Sequence, residues 1–512
     1  MKLTNTHYSS LSQIASELKK AGLLTEIAGS DVEIHGASCD SRGVEPGQIF
    51  ICKGAAFQPR FVESAQIAGA VAYLCDENVV SEVEALVPTM PHLVTQDIRS
   101  AMAHTSAEAW GHPDRELPVV GITGTKGKTT VAYMLRHMLD GAHARSHAAT
   151  IGTIETFDGV EHFASKLTTP EAPDLWRHLR HAADAGLTMV MEVSSQALKY
   201  QRCDGLQFDV GAMLNIGHDH ISPIEHPDFD DYLKSKLILL ERSKHAVIKS
   251  DMDHAQEVWA AARHAGDVTS FSLNDESADI WATDIQAAGT QLRFTARCPW
   301  NTLECELGMA GNFNVENALA AIAIAHLLGV SDQDIVAGLK ASHTPGRMEL
   351  VGSADGQLAV LVDFAHNGDS FERLFESVKE QFPNYYVVSV FGATGGKGVE
   401  RRFQMPPIAA ANSDVMIFTE DDPGPEDVAS ICQDMVSVSP EGSNYEVILD
   451  REQAIARALE LGRAAERPAL VCLLGKGHEA RQLRRDGAHS IKRDIELARE
   501  LLAHMDGAHH GM

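Results

Sequence analysis

The sequence predicts an α/β protein of three domains, and three observations support this prediction. Short apolar runs alternate with helical patterns along most of the chain, as a mostly parallel sheet requires. A length of 512 residues allows about three domains. A hydrophobic fraction of 44% with 6% aromatic residues is ordinary for this class. We place a small N-terminal α/β domain at 1–115, a central parallel-sheet domain at 116–342 and a C-terminal α/β domain at 343–512.

Charge and cysteine usage narrow the class of protein. The formal net charge of −28 argues against binding to nucleic acid or to an anionic membrane surface. The eight cysteines show no metal-binding spacing, which indicates a reduced, cytoplasmic protein. The first ten residues are polar, and no apolar run reaches the ~18 residues of a membrane span. We therefore expect a cytoplasmic monomer that acts on small molecules.

The N-terminal domain is predicted from short apolar runs and two helical patterns. The helices are expected at Tyr8–Ala21 and Phe61–Gly69. The strands are expected at Val32–Ala37, Gln48–Cys52 and Ala70–Leu74. Between them lies the polar turn Asp40–Arg42, which by itself favours a structural role over ligand contact.

A glycine-rich segment, Gly121–Thr130, dominates the central domain. It follows the apolar run Leu117–Val120 and precedes a helical pattern, Val131–Leu139. A strand, a glycine loop and a helix in this order cradle phosphate, because backbone N–H groups and the helix dipole attract anions. Lys128 is placed to reach the terminal phosphates and Thr129 to bind Mg²⁺. Since the glycine spacing departs from strict Walker A, a glycine turn with a chance Lys-Thr pair remains the alternative.

Polar residues follow the other predicted strands of this domain, where ligands of parallel sheets bind. The strands are Val119–Thr123, Met189–Val193, Val210–Asn215 and Ala246–Lys249. Glu192 ends the second strand, and a carboxylate beside a phosphate loop suits Mg²⁺; a capping carboxylate is the alternative. Asn215 and His220 follow the third strand, and His220 alone favours a core histidine. Asn314 and Asn317 open a predicted helix, where they could cap it or contact a base.

The C-terminal domain repeats this organisation. Its predicted strands are Ala359–Val362, Tyr386–Val390, Val415–Phe418 and Leu470–Leu474. The polar or glycine-rich loops that follow them are Asp363–His366, Gly392–Gly398, Thr419–Asp427 and Gly475–Glu479. Four such loops at one sheet edge indicate a binding site. A phosphate-binding domain between two α/β domains is compatible with a kinase, an ATPase or an ATP-dependent ligase.

Ordered motifs across the chain resemble the Mur ligase family, and most of all the synthetases that add the third residue of the peptidoglycan stem. They are Asp40–Arg42, Thr123–Thr130, Thr168–Pro170, Met191–Ser195, Asp219–His220, Tyr232–Lys236, Asn314–Asn317, Gly346–Glu349, Asp363–His366, Asp421–Gly424 and Gly475–Glu479. The resemblance implies a P-loop ATPase fold for the central domain and a Rossmann-like fold for the last. It also implies that ATP phosphorylates the D-Glu γ-carboxylate of UDP-MurNAc-L-Ala-D-Glu, and that an amino acid attacks the acyl phosphate.

The same resemblance implies a role for individual residues. The catalytic residues would be Lys128, Glu192, His220 and Lys236. Mg²⁺ would be held by Thr129, Glu192, His220 and Lys236, the last as a carbamate. ATP would contact Gly124, Thr125, Lys126, Gly127, Lys128, Thr129, Thr130, Asn314, Asn317, Arg347 and Asp363. The UDP-sugar would contact Ser41, Thr168, Thr169, Ser194 and Arg202. Without the resemblance, Lys236 would be interpreted as a surface lysine, and Lys234 is its competitor.

The amino acid that is added is predicted from departures in the last domain. Members that add meso-diaminopimelate carry an arginine where this chain has Gly424, and Lys397 stands at a second arginine position. The loop 420–427 is acidic, and an acidic rim suits L-lysine, with ornithine and then diaminopimelate as alternatives. The amino-acid site would comprise Lys397, Asp421, Asp422, Gly424, Gly475 and Glu479. A folylpolyglutamate synthetase and a non-catalytic nucleotide-binding regulator also remain open.

Overall fold

A computed structural model describes residues 7–54, 56–141, 146–217, 221–222, 225–288 and 291–509. The chain forms two compact units. The first comprises 1–281, 296–303 and 317–338, and the second comprises 282–295, 304–316 and 339–512. Both contain parallel sheets with helices, which confirms the α/β class. The division into three domains at 115 and 342 stays a prediction.

The N-terminal part of the first unit contains a five-stranded sheet in the order β2-β7-β6-β5-β4, in which only β2 is antiparallel to its neighbour. The strands of this part of the chain, including β1 and β3 outside that sheet, are β1 (Ser9–Ser10), β2 (Glu26–Ala28), β3 (Glu33–Ile34), β4 (Ala37–Ser38), β5 (Ile49–Ile51), β6 (Ala72–Asp76) and β7 (His92–Thr95). The helices are α1 (Leu11–Lys20), α2 (Arg60–Ala68), α3 (Val80–Leu86) and α4 (Ile98–Ala109), followed by a 3-10 turn at Pro113–Arg115. The expected strand Val32–Ala37 is wrong as a single element. Gly36 separates β3 from β4 at a φ of 133°, where a Cβ would meet the Trp110 ring.

The central sheet has the order β11-β10-β9-β12-β8-β13-β14-β15, followed by the beginning of β16. From β9 to β16 the neighbouring strands are parallel. The strands are β8 (Val119–Thr123), β9 (Ala148–Ile151), β10 (Glu155–Phe157), β11 (His162–Ala164), β12 (Thr188–Glu192), β13 (Phe208–Met213), β14 (Ser243–Lys249), β15 (Asp267–Ser272) and β16 (Ile280–Ala288). The helices are α5 (Lys128–Asp140), α6 (Ala172–Asp184), α7 (Ser195–Lys199), α8 (Phe229–Glu241) and α9 (Ala255–Ala262).

Two predicted helices of this region begin earlier than their apolar patterns. Helix α5 begins at Lys128 rather than Val131, so Lys128 and Thr129 lie in its first turn. The chain continues with β17 (Gln291–Arg297), β18 (Thr302–Leu307), α10 (Asn312–Leu327) and α11 (Asp332–Ala341). Helix α10 already begins at Asn312, so Asn314 and Asn317 lie within it and do not precede it as caps.

The C-terminal part of the second unit is a six-stranded sheet in the order β19-β20-β24-β21-β22-β23, with β19 antiparallel to β20. The strands of this part of the chain, including β25 and β26 outside that sheet, are β19 (Glu349–Gly352), β20 (Leu358–Asp363), β21 (Tyr386–Phe391), β22 (Val415–Phe418), β23 (Tyr445–Val447), β24 (Ala469–Leu474), β25 (Arg481–Arg484) and β26 (Gly487–Ser490). The helices are α12 (Gly368–Gln381), α13 (Arg401–Ala410), α14 (Val428–Ser437), α15 (Arg451–Arg463) and α16 (Asp494–His509). Within the described ranges, none of the helices has both the length and the apolar character needed to span a membrane.

Candidate active site

The glycine loop between β8 and α5 has the shape of an anion cradle. Gly124 and Gly127 adopt φ values of 148° and 89°, and Gly127 precedes the first residue of α5. A side chain at Gly127 would collide with Asn317, so only glycine fits this close approach. The N-terminus of a helix attracts anions, and α5 begins directly after Gly127. The loop thus has the shape that the predicted phosphate cradle requires, and phosphate binding there stays a prediction.

Asn215, which follows β13, holds this loop in place. Its side-chain oxygen accepts the backbone N–H of Lys126 at 2.9 Å, and its amide nitrogen donates to the Lys126 carbonyl at 3.1 Å. The Asn215 carbonyl also accepts the N–H of Thr125 at 3.2 Å. Thr125 is bonded in turn to the Tyr232 hydroxyl at 3.0 Å. The sequence places Asn215 at a strand end but does not reveal that it clamps the loop.

Two lysine side chains converge on one carbonyl oxygen of the loop. The Lys128 ammonium donates to Gly124 O at 2.8 Å, and the Lys236 ammonium donates to the same oxygen at 2.9 Å. Lys236 is 2% exposed, so its interpretation as a surface lysine is wrong. Lys234 is exposed and pairs with Asp230. Two like charges at one acceptor create a strongly positive locus, which suits phosphate.

Glu192 lies at the end of β12 and is 1% exposed. Its Oε2 accepts hydrogen bonds from the hydroxyls of Thr129 at 3.0 Å and Thr153 at 3.1 Å. Its Oε1 accepts the N–H of Thr153 at 2.8 Å. Adjacent oxygens around octahedral Mg²⁺ lie about 2.9 Å apart, as follows from its bond lengths. The Thr129 and Glu192 oxygens therefore fit Mg²⁺. Of the two other predicted ligands, His220 lies outside the described residues, and Lys236 would be a ligand only as a carbamate.

Four of the residues predicted to hold the UDP-sugar lie beside Glu192. The buried Thr169 hydroxyl donates to the Glu192 carbonyl at 2.9 Å and accepts the N–H of Ser194 at 3.1 Å. Arg202 donates to the Thr169 carbonyl at 3.0 Å. Thr168 reaches the same network through a 3.1 Å contact between its hydroxyl and that of Thr153.

The fifth residue of this set, Ser41, is half-buried on the loop that follows β4. Nearby, Glu171 forms ion pairs with both Arg202, at 3.0 Å, and Lys53, at 2.5 Å. Sequence reasoning missed Lys53 and Glu171. The signal for Glu171 was its position directly after Thr168–Pro170, whereas a single lysine after a short strand carries no comparable signal.

In the second unit, Asp363 is the last residue of β20, and Arg347 lies just before β19. The Asp363 carboxylate accepts the N–H groups of Met348 and Ala365, both at 2.8 Å. The Arg347 guanidinium lies over the Phe364 ring, with its central carbon 4.6 Å from the ring centroid. The face of an aromatic ring attracts such a cation. Burial, with the positive charge of Arg347, lowers the pKa of His478 to about 4. Asn314, the other ATP residue predicted in this unit, is buried in α10 and donates to the Ala310 carbonyl.

A buried lysine, Lys476, organises the predicted amino-acid site. Its ammonium lies 2.9 Å from Asp422, 2.8 Å from Glu479 and 3.9 Å from Asp421. Burial raises the pKa of Asp421 to about 6, although Lys476 opposes this shift. Gly475 has a φ of 101°, and a Cβ there would lie 2.7 Å from Asp421. Three carboxylates around one ammonium leave net negative charge when all are ionised.

The remaining residues of this predicted site lie on two loops, and their role in binding an amino acid stays a prediction. Lys397 is exposed on the loop between β21 and α13, where its carbonyl accepts the Thr394 hydroxyl. Gly424 has a φ of 56° and donates to Leu483 O at 3.0 Å. Other acids of the loop are engaged within the chain, two by arginines and one as a helix cap, and the acidic rim as part of an amino-acid site stays a prediction. The pairs are Glu420 with Arg484 at 2.6 Å, Glu426 with Arg402 at 2.7 Å, and Asp427 with the Ser430 N–H of α14 at 3.1 Å.

Comparison with known proteins agrees with this arrangement. Residues 122–325 match the Mur ligase middle domain, and residues 346–477 match the Mur ligase, glutamate ligase domain. A UDP-N-acetylmuramoyl-L-alanyl-D-glutamate--L-lysine ligase from Enterococcus faecalis is 36% identical over 88% of each chain. A UDP-N-acetylmuramyl-tripeptide synthetase from Bifidobacterium longum is 37% identical over 88% of this chain and 89% of its own.

A solved structure is similar over a comparable length. The structure of a UDP-N-acetylmuramoyl-L-alanyl-D-glutamate--2,6-diaminopimelate ligase has a TM-score of 0.66 at 27% identity, and the match covers 92% of this chain and 95% of that one. The matched regions contain the glycine loop, Glu192 and Lys236, together with Arg347 and the Asp421 loop. Sequence relatives, domain matches and fold agree, and the chain belongs to the Mur ligase family.

Proposed function

We propose that this protein is an ATP-dependent ligase that joins L-lysine to the D-Glu γ-carboxylate of UDP-MurNAc-L-Ala-D-Glu in the cytoplasm, as a monomer. The observation that carries the proposal is the convergence of Lys128 and Lys236 on Gly124, beside the buried Glu192. This group combines the positive charge of Lys128, for a triphosphate, with oxygen ligands for a metal. The names of the relatives at 36% and 37% identity support the choice of substrates.

Phosphoryl transfer requires positioning and charge neutralisation more than covalent assistance. The first turn of α5 and the Lys128 ammonium would hold the β- and γ-phosphates of ATP. Thr129 and Glu192 would hold Mg²⁺, which when bound would screen the negative charge that develops on the transferred group. The D-Glu γ-carboxylate oxygen would attack the γ-phosphorus, and ADP would leave. The lysine amine would then attack the acyl carbon, releasing phosphate and a proton as the amide forms.

Lys236 would contribute in a second chemical form. We propose that its neutral amine adds CO₂, forms a carbamate and releases a proton, as the family resemblance implies. The change replaces a positive charge near Lys128 with a negative one, so the two side chains would attract each other rather than repel. Burial at 2% exposure, beside the Tyr232 ring at 4.7 Å, would protect such a group from bulk water.

The choice of lysine rests on the charge of the Lys476 cluster. Asp421, Asp422 and Glu479 outnumber their one ammonium, and a lysine substrate keeps one charged amine after the other has reacted. Ornithine would present the same charge on a chain one methylene shorter. Diaminopimelate would add a carboxylate, which this acidic cluster would repel. The cluster therefore favours lysine most and diaminopimelate least.

The proposal is tested by measuring phosphate release with ATP, Mg²⁺ and UDP-MurNAc-L-Ala-D-Glu. L-Lysine, L-ornithine and meso-diaminopimelate are supplied in separate reactions, and the product of each is identified by mass. We expect release with L-lysine and a product that contains lysine in amide linkage. Release with diaminopimelate alone would overturn the argument from the acidic cluster. Silence with all three would favour the non-catalytic regulator.

A further inference from the structure

A second cluster of polar side chains lies at one end of the central sheet, at the hairpin formed by β10 and β11. Asp158, in the turn of this hairpin, is fully buried. Its Oδ1 accepts the N–H groups of Val160 at 2.9 Å and Glu161 at 2.6 Å. Its Oδ2 lies 2.7 Å from His178 Nδ1 and 2.8 Å from His181 Nδ1, both on α6. One carboxylate oxygen therefore faces two imidazoles.

The geometry of the cluster suits a cation between these groups. Asp158 and His178 are both buried, and the two imidazoles turn Nδ1 towards the same carboxylate oxygen. Glu161 lies 3.6 Å from His178 and pairs with Arg177 at 2.5 Å. The four possible ligand atoms all lie within 4.8 Å of one another. Two imidazole nitrogens with two carboxylate oxygens are a donor set for zinc-like ions and not for Mg²⁺.

We propose that this cluster binds a divalent transition-metal ion, of which Zn²⁺ fits best, through four residues: Asp158, Glu161, His178 and His181. The site differs in chemistry from the all-oxygen pair of Thr129 and Glu192. Each histidine would bind the metal through Nδ1 and keep a proton on Nε2. A doubly protonated imidazole would release its Nδ1 proton to solvent, and a neutral one would carry its proton on Nε2 instead of Nδ1.

The required rearrangement is small. In a tetrahedral zinc site with bonds of about 2.0–2.2 Å, neighbouring ligand atoms lie about 3.3 Å apart. The contacts of Asp158 with His178 and His181 are 2.7 and 2.8 Å, so these atoms must separate by about 0.5 Å. The Glu161 carboxylate must turn away from Arg177, which costs an ion pair that is partly exposed and therefore weak.

At this position a bound metal would affect the loop 165–171. The hairpin ends at Ala164 and α6 begins at Ala172, so the proposed metal would join the two elements that flank the loop 165–171. This loop contains Thr168 and Thr169, which contact the Glu192 network. A bound ion would cross-link the base of the loop, and it would raise stability because it binds the folded state alone.

The test uses Co²⁺ as a spectroscopic probe on the full-length protein, in excess Mg²⁺ to occupy oxygen-only sites. We compare wild type, His181→Ala and His489→Ala. The last is a matched control, because His489 pairs with Asp486 at 2.7 Å and, among the residues that the structure describes, belongs to no group of three or more possible metal ligands. Wild type and His489→Ala should bind one Co²⁺ more than His181→Ala, with visible absorption bands typical of nitrogen ligation. Since a supporting residue alone changes metal affinity about 10- to 100-fold, loss of a ligand should weaken it at least as much.

A second variant separates binding from folding. Glu161→Gln keeps the size of the side chain and should weaken Co²⁺ binding while the metal-free melting temperature stays within the range of the His489→Ala control. Metal should raise the melting temperature of wild type but not that of His181→Ala. Equal stoichiometry and equal spectra for wild type, His181→Ala and Glu161→Gln would overturn the proposal.

Discussion

Replacing Asn215 by alanine should weaken ATP binding without unfolding the protein. The substitution removes the two side-chain hydrogen bonds, of 2.9 and 3.1 Å, that hold the backbone N–H and the backbone carbonyl of Lys126. It leaves the Thr125 N–H bonded to the backbone carbonyl of residue 215. The loop would then remain in the fold but lose its rigid shape, and nucleotide binding would have to restore that shape.

The magnitude follows from the number of bonds. A hydrogen bond of this kind contributes about 0.5–1.5 kcal/mol, so two contribute about 1–3 kcal/mol to ordering the loop. This free energy would be drawn from binding, which raises the KM for ATP by about 5- to 150-fold at ten-fold per 1.4 kcal/mol. Once the nucleotide has ordered the loop, the turnover number should change far less than KM.

The assay is phosphate release at varied ATP concentration, combined with calorimetric titration of ADP. Asn301→Ala is the matched control, since its amide donates to Asp332 at 2.8 Å on the exposed surface, away from the glycine loop. A melting temperature close to that of the control would show that the fold is intact. If Asn215→Ala kept the KM for ATP and the ADP affinity within two-fold of wild type, the clamp would not order the loop.

Two further substitutions test other parts of the site. Lys236→Met should abolish turnover, because it removes the buried amine that would form the proposed carbamate. Lys234→Met should leave turnover unchanged, since that side chain is exposed. Phosphate release measures both. Asp421→Asn should raise the melting temperature at pH 8 relative to wild type and weaken amino-acid binding. The folded pKa of Asp421, about 6, exceeds its ordinary value of 3.8 because the carboxyl is buried, so wild type loses stability as pH rises through this window. The difference between the variants, followed by thermal unfolding, should shrink towards pH 4, and a constant difference would contradict the assignment.

The glycine loop shows how far the sequence predicts the structure. Strand β8, the loop and α5 occur in the predicted order, but α5 begins three residues before its apolar pattern. Helix α5 begins with Lys128 and two threonines, and these polar residues add nothing to an apolar pattern. Hydrophobic periodicity detects the buried face of a helix, so it is silent about a polar first turn. The predicted strand Val32–Ala37 failed for a different reason, since Gly36 interrupts it with a positive φ and packs against the Trp110 ring, a contact distant in sequence.

Side-chain pairing was the hardest part to predict. Glu420 pairs with Arg484 and Glu426 with Arg402, and neither partner lies near enough in sequence to reveal the neutralisation. The burial of Lys236, in contrast, was predictable. Helix α8 carries its buried residues on one face, and Tyr232 lies one turn before Lys236 on that face. Helical periodicity could therefore have identified Lys236 as buried and Lys234 as exposed, without any resemblance to a family.

The end of β12 is where the proposed ATP site and the proposed UDP-sugar site meet. The Glu192 carboxylate contacts Thr129 of α5, and the Glu192 backbone oxygen accepts the Thr169 hydroxyl. Thr153 contacts the same carboxylate and also Thr168. Reaction between two bound substrates requires a fixed separation of the reacting atoms, and here one buried residue bonds to both sides. A glycine loop alone would hold a nucleotide, but the strand-end carboxylate relates that nucleotide to an acceptor, which is the geometric requirement of a ligase.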